Sequence, residues 1–145
     1  MNFNGFGKAT KEMINKFEQH IGFSLPDDYK KFLIEYNGGI PQIKYCNFFV
    51  KELNAYIPLD VLYGIDIKKM DLLRWFDEYN EDLFSNSIII GKDPGGGMIV
   101  LLNDDKGEAV YYWDHSYLFE QSNDGKNSYK VADDFGTFID GLQNP

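Results

Sequence analysis

A single cysteine, Cys46, stands among the 145 residues. No intramolecular disulfide framework can therefore brace the chain. The only other soft or borderline metal ligands are His20 and His115, and their spacing to Cys46 matches no zinc pattern. No apolar run approaches the roughly 20 residues needed to cross a bilayer. The start of the chain, from Met1 to Lys8, lacks the basic and apolar regions of a secretory signal. Together these absences lead us to expect a cytoplasmic protein with no membrane partner and no metal or cofactor. Disorder is excluded by what is present: 43% apolar and 17% aromatic residues can fill the core of one domain spanning residues 1–145.

Basic residues are scarce in one half. Residues 1–76 hold ten basic and nine acidic side chains, a balance of +1. Residues 77–145 hold only Lys92, Lys106, Lys126 and Lys130 against fourteen acids, a balance of −10, so the net charge of −9 lies in the second half. Direct nucleic-acid binding is excluded as a main role, since neutralising phosphates needs the opposite sign. A basic protein partner would be steered towards this half, although acidic surface also serves solubility alone.

The apolar pattern predicts a first helix over about residues 10–21, capped by Thr10, with Met13, Ile14, Phe17 and Ile21 on one face and Gly22 as its stop. A second helix begins near Pro26, whose fixed φ suits a first turn, with Asp27 and Asp28 at the positive end of the dipole. Tyr29, Phe32, Leu33 and Tyr36 form its i, i+3, i+4, i+7 stripe, and Asn37-Gly38-Gly39 ends it. Residues 43–65 are rich in β-formers but ambiguous, and Pro58 there marks an edge or an interruption. A third helix is expected over about 67–84, with Asp71, Asp77, Glu78, Glu81 and Asp82 on its polar side. Strands at 87–90, 98–102 and 109–113, joined by short glycine-bearing turns, read as an antiparallel meander. A further strand is expected near 129–132. The closing helix carries Phe135, Phe138, Ile139 and Leu142, capped by Asp133 or Asp134. This order predicts an α+β single domain, an antiparallel sheet packed with about four helices.

The candidates for chemistry each meet a simpler explanation. Asp114-His115-Ser116 supplies the residue types of a hydrolase triad, but side chains adjacent in sequence diverge and cannot form a relay, and no G-x-S-x-G elbow is present. Asp114 is expected to accept backbone hydrogen bonds at the strand end, and His115 to lie at the surface. Residues 103–108, Asn-Asp-Asp-Lys-Gly-Glu, lack the alternating ligands and terminal Glu of a calcium loop and read as a hairpin turn. Asp93-Pro94-Gly95-Gly96-Gly97 has no Lys-Ser/Thr and precedes a strand, so it is a turn and not a Walker loop, though its amides could touch a partner. Paired carboxylates abound, but nothing in the sequence sets two of them across a cleft with split pKa values.

The stretch Leu25-Pro26-Asp27-Asp28-Tyr29-Lys30-Lys31-Phe32-Leu33, continued by Tyr36-Asn37-Gly38-Gly39, resembles the opening signature of the SUKH superfamily. That group includes bacterial immunity proteins and the fungal regulators of cell-wall glucan synthesis. The resemblance continues in Ile90-Gly91-Lys92-Asp93 with Gly95 to Gly97, in Val110-Tyr111-Tyr112-Trp113-Asp114-His115, and in Val131-Ala132-Asp133-Asp134-Phe135 with Phe138 and Gly141-Leu142. Met98 departs from it, standing where a polar residue is expected after the glycine turn.

The resemblance implies an α+β domain without catalytic activity, often encoded beside a polymorphic toxin that it neutralises, and many such toxins are nucleases with basic substrate-binding faces. Read with the charge distribution, it predicts a toxin-binding surface made of Asp77, Glu78, Glu81, Asp82, Asp104, Asp105 and Glu108, mimicking phosphate charge. Tyr111 and Trp113 would anchor it if they are exposed; both lie in an apolar run, where core packing is the competing expectation. Two other readings remain: a regulatory adaptor that recruits another cytoplasmic protein, and a hydrolase using Asp114 and His115.

Overall fold

The computed structural model describes residues 3–114 and 127–143. The chain begins with a short strand, β1 (Phe3–Gly5), followed by helix α1 (Lys11–Ile21). Thr10 caps α1 by accepting from the Met13 amide at 3.1 Å, and Gly22 closes it in the left-handed region. Helix α2 (Asp27–Glu35) follows. Glu18 holds the two helices together: its carboxylate accepts from the Leu25 amide at 2.7 Å and pairs with Lys30 at 3.3 Å. As its stripe predicts, α2 buries Tyr29, Phe32 and Leu33.

After α2 the chain reverses through Asn37 and Gly38, both with positive φ, into β2 (Gly39–Pro41). A Cβ on Gly38 would stand 2.6 Å from the Leu62 carbonyl oxygen, so only glycine permits this approach. The ambiguous stretch then resolves into four pieces. β3 (Asn47–Val50) and β4 (Ala55–Pro58) form a hairpin joined by a 3-10 turn at Lys51–Leu53, and β5 (Val61–Leu62) returns to the main sheet. Pro58 ends the outer strand of the two-stranded sheet, the edge position expected of it.

Helix α3 (Leu72–Tyr79) is shorter than the 67–84 expected. Asp66 and Lys68 have positive φ, and Asp71 is extended and caps the helix by accepting from the Leu73 amide. Only 3-10 turns, at Lys68–Met70 and Asn80–Asp82, flank it. The apolar period runs on through them, which is why it does not reveal the ends.

The meander forms as expected from β6 (Ser87–Lys92), β7 (Met98–Asp104) and β8 (Gly107–Trp113), with β9 (Ser128–Ala132) added beyond β8 and helix α4 (Phe135–Asp140) closing the fold. The sheet order is β1-β2-β5-β6-β7-β8-β9, with every pairing antiparallel. Thus the chain is an α+β domain.

Consecutive Ile88, Ile89 and Ile90 are all buried, as are Met98 to Leu101, so both faces of the central sheet are covered. Met98 is therefore a core residue. The alternation along β8 separates the two coverings. Trp113 meets Tyr79 and Tyr111 meets Phe84, on the α3 side. Tyr112 meets Phe48, which in turn meets Phe138, on the side of the β3–β4 hairpin and α4.

Candidate functional site

The acidic surface is built by α3 and the 3-10 turn after it. Leu72 faces the core, and the sheet side of α3 carries Trp75 and Tyr79, with the Trp75 ring stacked on both Tyr63 and Tyr79. This leaves Asp77, Glu78, Glu81 and Asp82 exposed. Asp77 is already engaged: its carboxylate accepts from His20 Nε2 of α1 at 2.8 Å, a pair that is ionic when the imidazole is protonated. The His20 ring also lies edge-on to Phe76. Glu78, Glu81 and Asp82 form no ion pair among the described residues, and together they concentrate negative charge on one turn and a half of chain.

The second acidic group stands at the tip of the β7–β8 hairpin. Asp104 pairs with Gly107 in register, leaving Asp105-Lys106 as the two-residue turn. Asp104 is half-buried and accepts from the Lys106 amide at 2.9 Å, an ordinary turn contact, while Asp105 is exposed. The hairpin reading of residues 103–108 therefore holds. The Asn103 amide donates to the Asn86 carbonyl at 2.9 Å, and Tyr111 packs on Phe84 at 5.4 Å. These contacts set the hairpin stem beside the segment that leaves the 80–82 turn, so both acidic groups lie at one end of the molecule.

Three members of the expected surface are placed differently. Trp113 is 5% exposed and belongs to the core against Tyr79, so the condition on its anchoring role is not met; an apolar strand flanked by buried neighbours takes it inward. Tyr111 is half-buried and presents only part of its ring. Glu108 turns inward. Its carboxylate accepts from the Phe135 amide at 2.7 Å at the start of α4, within charge and hydrogen-bond range of Asp28. Burial, together with the nearby Asp28 and Asp134 carboxylates, pushes the Glu108 carboxyl up to about 7 despite the opposing amide bond.

That cluster was not visible in the sequence. Asp28, at the N-terminus of α2, accepts from its neighbour Tyr29 and, 108 positions along the chain, from the Gly136 amide at 3.0 Å. Asp134 caps α4 by accepting from Thr137 at 2.6 Å. The acids thus clamp the N-termini of two helices to the start of β8, where free amides attract them.

The glycine-rich turn has a structural role. Buried Asp93 accepts from the Gly95 and Gly97 amides at 2.7 and 2.8 Å, and its other oxygen accepts from the Tyr112 hydroxyl at 2.6 Å. Two amides of the turn are therefore bonded from within the molecule. Burial first, then the bond to Asp93, pushes the Tyr112 hydroxyl well above the usual phenol range. The Asp-Pro-Gly-Gly-Gly run signalled a turn, but nothing local signalled its partner on β8.

At Asp114 the main-chain amide donates to the Asn127 carbonyl at 2.8 Å. His115 and Ser116 lie outside the described residues. Among the described residues, no group of three or more His, Cys, Asp or Glu is set to hold a metal ion. No helix among them is long and apolar enough to cross a membrane.

Residues 8–141 match the family model described as the SMI1 / KNR4 family (SUKH-1). Proteins of this family are generally non-catalytic immunity proteins or regulators. Among curated proteins, the chain is similar to the SPbeta prophage-derived uncharacterized protein YokK of Bacillus subtilis (strain 168). The two are 28% identical over 145 residues, which cover 90% of this chain and 72% of the relative.

Proposed function

This chain belongs to the SMI1/KNR4 family (SUKH-1), and on that premise we propose that it is a cytoplasmic immunity protein that binds and neutralises a cognate polymorphic toxin, a nuclease with a basic face. The observation that carries this reading is the exposed row Asp77, Glu78, Glu81 and Asp82, with Asp104 and Asp105 at the same end. Such a surface attracts the Lys and Arg residues with which a nuclease holds phosphates, and so occupies the site its substrate needs. Tyr111 contributes at the rim of the contact. Glu108 and Trp113 act from inside, holding α4 and the sheet face on which α3 rests.

A pull-down from the native host with this protein as bait, read by mass spectrometry, tests the proposal. The expected result is a large protein with a basic C-terminal domain, released by salt. Recovery of a housekeeping complex instead would overturn neutralisation in favour of the adaptor role.

A further inference from the structure

The exposed large apolar side chains are not scattered. Of the seven among the described residues, Tyr45, Phe49, Leu53 and Tyr56 all lie on or beside the β3–β4 hairpin, at 72%, 38%, 38% and 52% exposure. The hairpin has two unlike faces. Phe48 and Val50 are buried, with Phe48 packed on Tyr112 and Phe138. On the other face Phe49 and Tyr56 are direct cross-strand partners with ring centroids 5.0 Å apart. Leu53 stands exposed in the turn that joins the strands, and Tyr45 stands exposed just before β3, its ring 5.2 Å from the Lys44 ammonium. Exposed apolar side chains gathered on one hairpin in this way mark a place where another molecule sits.

We propose that the occupant is a second copy of this chain, the two hairpins meeting through their aromatic outer faces in a twofold dimer. Charge singles out this occupant. Two molecules of net charge −9 repel each other, and most strongly through the acidic second half. Residues 39–58 hold Lys44 and Lys51 against Glu52 alone, so here two copies approach with the least repulsion. A basic partner, by contrast, is drawn to α3, on the opposite side of the sheet. A twofold contact is self-complementary, so Glu52 of one copy can meet a lysine of the other.

The copies meet by faces and not by strand edges. The Leu59 amide donates inward to Cys46 at 3.0 Å. Alternation from there leaves Tyr56 as the residue of β4 with an outward amide, and Pro58 has none. Four principal side chains place the contact at the small end of interfaces, so the dimer is weak.

Sedimentation equilibrium of the whole chain tests this without any toxin. The mass should rise from 16.8 kDa towards twice that value over about 10 to 500 μM. Association should tighten when salt is raised from about 0.05 to about 0.5 M, because screening removes the repulsion. Tyr56→Lys, and separately Leu53→Lys in the turn, should each weaken association roughly tenfold or more, with far-ultraviolet circular dichroism unchanged. A monomer throughout, a dimer untouched by both variants, or a dimer loosened by salt would each overturn the proposal. Toxin binding has the opposite salt dependence, so either reading can fail alone.

Discussion

Tyr112 shows how much a single side chain does in this fold. Its ring fills the space between β8 and Phe48, and its hydroxyl supplies one of three donors to the buried Asp93 carboxylate. A buried carboxylate that loses a donor keeps its desolvation cost and recovers nothing from water. Tyr112→Phe leaves the packing in place and removes that one bond, so it should destabilise the fold by about 2 kcal/mol. Thermal unfolding should then show Tm lower by roughly 5 °C. Gly97 belongs to the same arrangement, since a Cβ there would lie 2.2 Å from the Tyr112 hydroxyl oxygen.

Among the elements, those with a local signal were legible in the sequence. Thr10 and Gly22 mark the two ends of α1, Asp134 marks the start of α4, and the meander follows its short turns. The two- and three-residue strands β1, β2 and β5 were not, because so few residues carry no period and their pairing is settled by partners far along the chain. The ends of α3 were hidden for a different reason. Its limits depend on backbone conformation at Asp66, Lys68 and Asp71, while the apolar spacing continues past them. Of the acidic surface, the α3 row was legible from charge and period together; Glu108 was not, because its direction is set by the Phe135 amide 27 positions on.

That junction of β8, α2 and α4 carries a pH dependence. Folding raises the Glu108 carboxyl from its ordinary 4.5 to about 7, so the folded state holds its proton more tightly than the unfolded one. The stabilisation is complete below the unfolded value, and it is lost as pH rises from there through the folded value. Glu108→Gln, which cannot ionise, should therefore gain in Tm relative to the parent protein between about pH 5 and about pH 8. A constant difference across that range would show that Glu108 does not carry this proton.

At the scale of the whole molecule, the acidic row of α3 and the aromatic β3–β4 hairpin lie on opposite sides of one sheet. The acids of α3 lie on the Tyr111 and Trp113 side, and the aromatic hairpin lies on the Tyr112 side. The family relation, the acidic end and the neutral hairpin then fit one account, in which a basic toxin is covered by one side while copies associate through the other. Salt acts on the two contacts with opposite sign: it weakens attraction to a basic face and relieves repulsion between like-charged copies.

The most direct measurement of the central claim is the affinity of this protein for the toxin domain recovered with it, by isothermal titration at low and high salt. The parent protein is compared with Glu78→Lys, Glu81→Lys and Asp82→Lys combined. These positions are exposed, so the fold should stand while three attractive charges become repulsive. The account predicts binding that weakens as salt rises, and a loss for the triple variant of roughly a hundredfold or more at low salt. Equal affinity of the two proteins at low salt would contradict it.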